Sequence, residues 1–163
     1  MLRSLLMGCL LLLVTSPLTA QNWPGWRGPQ GIGTTAEVGF PITWSATENI
    51  RWQAPLPGPG NSTPVVWQDH VFVTCASTDG KQRSLICFDR KSGKQRWQKT
   101  VTFPTTEVTH KTNPQCASSP VTDGNQVVAW FGSAGLYAYG MDGKLLWKRE
   151  ALSFRDVQWC PRM

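Results

Sequence analysis

The sequence predicts an all-β protein of the β-propeller type, about two four-stranded blades of an incomplete propeller, and three observations predict it. A cassette is written twice, SGKQRW at 92–97 and DGKLLW at 142–147, with ENIRWQA around Trp52 as a third echo. Short runs of β-branched and aromatic residues alternate with turn clusters in which Asp or Ser stands beside Gly. Beyond the first twenty residues, no window of 11–18 residues carries an apolar stripe at i, i+3, i+4 and i+7, so helices are not expected. The spacings Trp52 to Trp97 (45 residues) and Trp97 to Trp147 (50 residues) are those of a repeat, and four short strands in ~40–50 residues make one propeller blade.

The elements follow in chain order. MLRS carries a positive charge at Arg3, LLMGCLLLLV (5–14) is unbroken apolar sequence, and TSPLTA ends on the small residue Ala20. This is the pattern of a secretory signal peptide over 1–20, with cleavage before Gln21 and export to the periplasm or the medium. The ten-residue core falls short of the ~17–25 residues that a spanning helix needs, so no stable membrane anchor is expected. LMGC (6–9) looks like a lipoprotein cleavage box, but it precedes most of the apolar run, and lipidation is not expected. Residues 21–60 then form an arm and a leading propeller strand, ENIRWQA. Within the arm, NWPGWRGPQGIG (22–33) reads as an extended segment pinned by its aromatic rings. A carbohydrate platform, or a cation–π pair of Arg27 with Trp23 or Trp26, is the alternative.

Two units occupy the rest. Blade 1 (61–101) opens NSTPVVWQDHVFV and blade 2 (117–149) opens ASSPVTDGNQVVA; in each, a Val starts the next strand seven residues after the Pro. Strands are expected at 65–67, 71–75, 84–88 and 95–101, and again at 126–131, 135–139 and 144–149. TDGK, RKSGK, TDGN and MDGK separate them. In the last strand of each unit, Trp97 or Trp147 supplies a large apolar face to pack on a neighbouring sheet and a ring N–H that needs an acceptor. Four residues earlier, Gly93 or Gly143 allows the positive φ of a tight hairpin. Residues 102–116 lengthen the connection between blades, and 150–163 form an irregular tail. Two blades leave both outer sheet faces bare, so the chain is expected to be part of a larger propeller, with self-association of a short protein as the alternative.

CFDRKSGKQRW (87–97) resembles the tryptophan-docking motif of pyrroloquinoline-quinone-type propellers, A-x-D-x-x-T-G-x-x-x-W, at Asp89, Ser92, Gly93 and Trp97, with Cys87 at the Ala position. AYGMDGKLLW (138–147) matches at Ala138, Gly143 and Trp147, one residue short in the turn. With NWPGWRGPQGIG, ITWSATENIRW and the two SPV-type openings, residues 22–149 are similar to secreted bacterial quinoprotein-like propellers, many from planctomycetes. The resemblance implies the fold. It leaves several roles open, because a fold carries function only through its site. Quinone-dependent dehydrogenases of this type add calcium ligands, a catalytic Asp and, among alcohol oxidisers, an adjacent cysteine pair; none is recognisable here. Other relatives are the propeller lipoprotein of the outer-membrane barrel-assembly machine and sensor modules on bacterial kinases, whose kinase motifs are absent from this sequence.

Charge and cysteine usage narrow the function further. The net charge of +6 falls to +5 without Arg3, since the leader has no acidic residue. Lys81, Arg83, Arg90, Lys91, Lys94, Arg96 and Lys99 face Asp89 alone, and are expected on solvated turns and strand edges, not against nucleic acid. Cys75, Cys87, Cys116 and Cys160 allow three complete pairings, but buried single thiols are the expectation; no C-x-x-C occurs. Asp89 and Asp142 are expected to cap turns. Glu107 and His110, with Cys116, are weak loop-site candidates whose spacing matches no metal site. NST (61–63) satisfies the glycosylation pattern by coincidence with the blade opening. The resulting reading is a non-catalytic exported scaffold that binds a protein or small ligand and needs no cofactor. The alternatives are a fragment of a dehydrogenase using pyrroloquinoline quinone with calcium, or a sensor or envelope-assembly module.

Overall fold

Eight strands meander through two antiparallel sheets in a computed structural model that describes residues 21–110 and 112–150. The leader 1–20 and the tail 151–163, with Cys160, lie outside the described residues. The first sheet runs β1 (Val65–Trp67), β2 (His70–Ala76), β3 (Gln82–Asp89) and β4 (Gln95–Thr102), in that spatial order. The second repeats it with β5 (Val121–Thr122), β6 (Gln126–Trp130), β7 (Leu136–Gly140) and β8 (Leu145–Arg149). Sequential antiparallel order with short turns is what local hairpin pairing produces, and it is the strand order of a propeller blade.

Period-two alternation decides what each sheet buries. Val65, Phe72, Cys87 and Trp97 are cross-strand partners in one row of the first sheet. That row faces Val127, Ala129, Tyr137 and Tyr139 of the second, and together these residues form the main core. Phe72, Trp97 and Tyr139 meet with their rings tilted by 45° and 43° and their centroids 5.8 and 6.3 Å apart. β3 is buried on both faces because Ile86 and Phe88 point the other way, into a second cluster that holds Val71, Cys75, Trp52 and Ala54. The equivalent row of the second sheet, Val121, Val128, Ala138 and Trp147, has no further sheet against it among the described residues, and Ala138 is covered within its own sheet. Val121 is 54% and Trp147 41% exposed. The front of one unit thus packs on the back of the next.

The two β3–β4-type turns show why the cassette carries glycine. Gly93 and Gly143 have φ of +70° and +83°, and each ends a turn beside which the ladder slips register, at Cys87/Phe88 and Ala138/Tyr139. A second reason is steric. A Cβ on Gly93 would lie 2.5 Å from Cδ2 of Trp52, and one on Gly143 2.9 Å from Cδ2 of Trp97. Gly93→Ala and Gly143→Ala are each expected to cost ~1–3 kcal/mol, from the strained φ and the displaced ring together. Urea unfolding checks this, and losses within ~0.5 kcal/mol would show that the rings shift freely.

ENIRWQA, whose expected partner is a blade beyond these two, has no ladder among the described residues: Glu48 and Asn49 lie in a bend, and Trp52 is held by its ring N–H on the Arg90 carbonyl. Two expectations change. Phe131 leaves β6 to start a 3-10 turn at Gly132–Ala134. The two-residue strand β5, inside the ASSPVT opening, was not separately expected; it is too short to show periodicity.

Candidate functional site

The repeat tryptophans act in sequence along the stack. Trp52 lies on the Gly93 turn and donates its ring N–H to the Arg90 carbonyl at 2.9 Å. Trp97, half-buried, lies on the Gly143 turn and donates to the Met141 carbonyl at 2.9 Å. Each ring therefore fills the turn of the following sheet and satisfies its one donor there. Trp147 has no such turn among the described residues, and its N–H goes to Oε1 of Gln126 at 3.1 Å. Trp67 adds another lock between units, its ring filling the space beside Gly124.

The acidic candidates are consumed by structure. Oδ1 of Asp89 accepts from the Ser92 N–H (2.8 Å), the Ser92 hydroxyl (2.8 Å) and the Lys91 N–H (3.1 Å), while Oδ2 accepts from Arg96 at 2.5 Å. The Arg96 hydrogen bond, then those from Ser92, hold this carboxyl far below the usual carboxylate range. Arg96 also approaches Nε2 of His70 at 3.3 Å; burial and that guanidinium keep the imidazole pKa low. Oδ1 of Asp142 accepts the Lys144 N–H at 2.9 Å.

Glu107 pairs with Arg83, and this corrects the charge reading: Arg83 is 1% exposed, not a solvated edge residue. Its Nε donates to the Gly80 carbonyl at 3.0 Å, Nη1 to the Phe131 carbonyl and Nη2 to Glu107, while the guanidinium lies 4.9 Å over the Phe103 ring. One cation thus ties the first sheet, the connection 102–116 and the second sheet together. Burial pushes the Glu107 carboxyl up, but hydrogen bonds from Ser133 and Arg83 and the Arg83 charge outweigh it, leaving the pKa lowered. The sequence did carry a sign of this, since alternation places Arg83 on the same face as Leu85 and Cys87. His110 is exposed and bonds Thr112 through Nδ1 at 2.8 Å, apart from the Arg83–Glu107 pair. Among the described residues, no three His, Cys, Asp or Glu side chains gather where a metal could be held.

Cys75, Cys87 and Cys116 are buried free thiols. Burial pushes Cys87 and Cys116 up to about 12 and raises Cys75. Because the thiolate is the nucleophile, none should be labelled by iodoacetamide at neutral pH until denaturant is added. Peptide-resolved mass spectrometry checks this, and native labelling of any of the three would contradict their burial.

The arm bridges both innermost strands. Trp23 exchanges two backbone hydrogen bonds with Val66, of 2.8 and 2.9 Å, and the Thr122 N–H donates to the Pro24 carbonyl at 2.9 Å. Arg27 stacks on Trp26 with its guanidinium carbon 4.5 Å from the ring centroid. Beside Trp26, the residues that open the two units border an open cleft of about 300 Å³, lined by Asn61, Thr63, Ala117, Ser118 and Ser119.

No helix among the described residues is long and apolar enough to cross a membrane. No curated protein matches the chain. A family model described as outer membrane protein assembly factor BamB matches residues 35–158, well over half of the chain and both sheets. With two stacked four-strand units joined by docked tryptophans, the chain belongs to this family of PQQ-type repeat proteins.

Proposed function

We propose that the chain is a non-catalytic propeller module, exported to the cell envelope, that holds a protein partner on its loops and strand edges. The observation that carries this reading is that the groups able to do chemistry are spent on the fold. Asp89 is capped and ion-paired, Glu107 is clamped to Arg83, and the described thiols are buried. The partner class comes from the family's own description, proteins under assembly into the outer membrane. The leader at 1–20 supports export.

The dehydrogenase alternative asks for a calcium-type set of carboxylates beside a quinone, and the residues do not fit it. Asp89, Asp123 and Asp142 each accept backbone N–H groups of their own turns, and the described cysteines lie apart in sequence and inside the core. Calorimetry with pyrroloquinoline quinone and calcium is expected to give no saturable heat, and micromolar binding would overturn the non-catalytic reading. Crosslinking in envelope fractions, with the mature chain starting at Gln21, is expected to capture outer-membrane β-barrel proteins. Recovery of the chain from the cytoplasm alone would remove the localisation on which that partner class depends.

A further inference from the structure

The cleft beside Trp26 has the makeup of a ligand site. Its volume of about 300 Å³ sits at the lower end of small-ligand pockets. Trp26 is 63% exposed, yet its backbone is fixed: Trp23 is bonded to Val66, and the Trp23 ring N–H reaches the Trp26 carbonyl at 3.4 Å. The aromatic surface is therefore presented to solvent from an anchored segment, so little ordering remains to be done on binding.

The facing wall is polar and only partly satisfied. Asn61 donates through Nδ2 to the Thr112 carbonyl at 2.9 Å, which orients its Oδ1 as a spare acceptor. Ser119 Oγ accepts the Thr63 N–H at 2.8 Å, leaving its own O–H to donate. The hydroxyls of Thr63 and Ser118 have no hydrogen-bond partner among the described residues. Arg27, against Trp26, has no carboxylate partner among them either.

We propose that this cleft binds a saccharide carrying a carboxylate. The C–H face of a pyranose stacks on an indole, while its hydroxyls need neutral groups that both donate and accept, which Thr63, Ser118, Ser119 and Asn61 supply. The Arg27 guanidinium lies over one face of the Trp26 ring, outside the lining of the cleft. The sugar therefore stacks on the face that Arg27 leaves open, and an acidic substituent is selected where it reaches past the ring edge, since Arg matches a carboxylate with two parallel N–H groups. An extended peptide fits less well. It would need free strand edges, and the arm already takes the backbone groups of Val66 and Thr122 at this rim. The proposal does not depend on the protein-partner reading, and its test is separate.

The test is titration of the exported chain with trigalacturonate and with its methyl ester, followed by calorimetry. Saturable binding of the acid is expected, with the ester weaker. Trp26→Ala is expected to weaken acid binding at least ~10-fold and Ser118→Ala a few-fold, while Arg27→Gln should level acid and ester. Because the Trp26 ring is exposed, the melting temperature of Trp26→Ala should stay within ~2 °C of the parent, so lost binding cannot be assigned to lost fold. Absence of saturable binding to either probe would overturn the proposal, as would acid binding that Trp26→Ala leaves intact. Equal binding of acid and ester by the parent would overturn its acidic specificity.

Discussion

Trp97→Ala is expected to destabilise the chain by about 3 kcal/mol, the lower end of what large aromatic truncations cost. The ring is half-buried, so the transfer contribution is below that of a fully enclosed Trp. The loss is nevertheless shared by several partners. Phe72 and Tyr139 lose a tilted ring neighbour at 5.8 and 6.3 Å. The space over Gly143 is left open, and the Met141 carbonyl loses its donor. Both sheets contribute to that cavity, so neither can close it without shifting against the other. Trp147→Ala is the matched control. The same cassette and the same strand position place that ring on an outward face, 41% exposed, and its removal should cost no more than ~0.5 kcal/mol. Equal losses for the two variants, measured by urea unfolding, would mean that the docking geometry does not carry the stability of the stack.

That contrast shows what was legible in the sequence and what was not. The cassette made the repeat visible, and the strand ladders fall where β-branched runs and Gly turns place them, because hairpin pairing is local. Docking is a relation between units, so the spacing alone could not say that Trp97 is covered while Trp147 is not. Nor could it say that Gly143 is small partly to receive Trp97. ENIRWQA has strand-like composition, but a ladder needs a neighbouring edge, and the described residues give it none. Arg83 was hidden for a different reason. In a stretch with six other basic residues it reads as one more surface charge, and only the parity of its position, shared with Leu85 and Cys87, marks it as inward. The acidic candidate Glu107 was visible as an unusual loop residue, but its partner lies 24 positions earlier, on a strand. The arm illustrates the same limit. Its aromatic residues were evident, whereas the division of labour, Trp23 anchored and Trp26 presented, depends on which of them meets the free edge of β1.

Glu107→Gln is expected to cost about 2–3 kcal/mol at neutral pH, because it leaves the Arg83 guanidinium buried without its counter-charge. The Arg83 side chain is 2% exposed and that of Glu107 30%, so the carboxylate end of the pair is the more hydrated, and the loss falls below that of a fully enclosed pair. Arg83 cannot lose its proton in response and must be tolerated as a cation by neutral partners, the Gly80 and Phe131 carbonyls, the Phe103 ring and the new amide oxygen. Removing both charges should do less harm than the two single changes summed. In Glu107→Gln/Arg83→Met an apolar chain of similar length replaces the cation against Phe103, and the cost of the double change minus the two single costs is expected to be negative in the double-mutant cycle. The pair also fixes an acid limit. The Glu107 pKa is lowered from its ordinary 4.5, so the folded state binds the proton less readily than the unfolded chain. The stabilisation is therefore complete above about pH 4.5 and is lost as pH falls through the lower, folded value. Asp89 is shifted in the same direction, but it is present in both the parent and Glu107→Gln, and its effect cancels in their difference. Unfolding curves of these two chains should stand apart at pH 7 and converge in acid. A gap that stays constant down to the acid limit would show that Glu107 holds the connection 102–116 by packing and hydrogen bonding, not by its charge on Arg83.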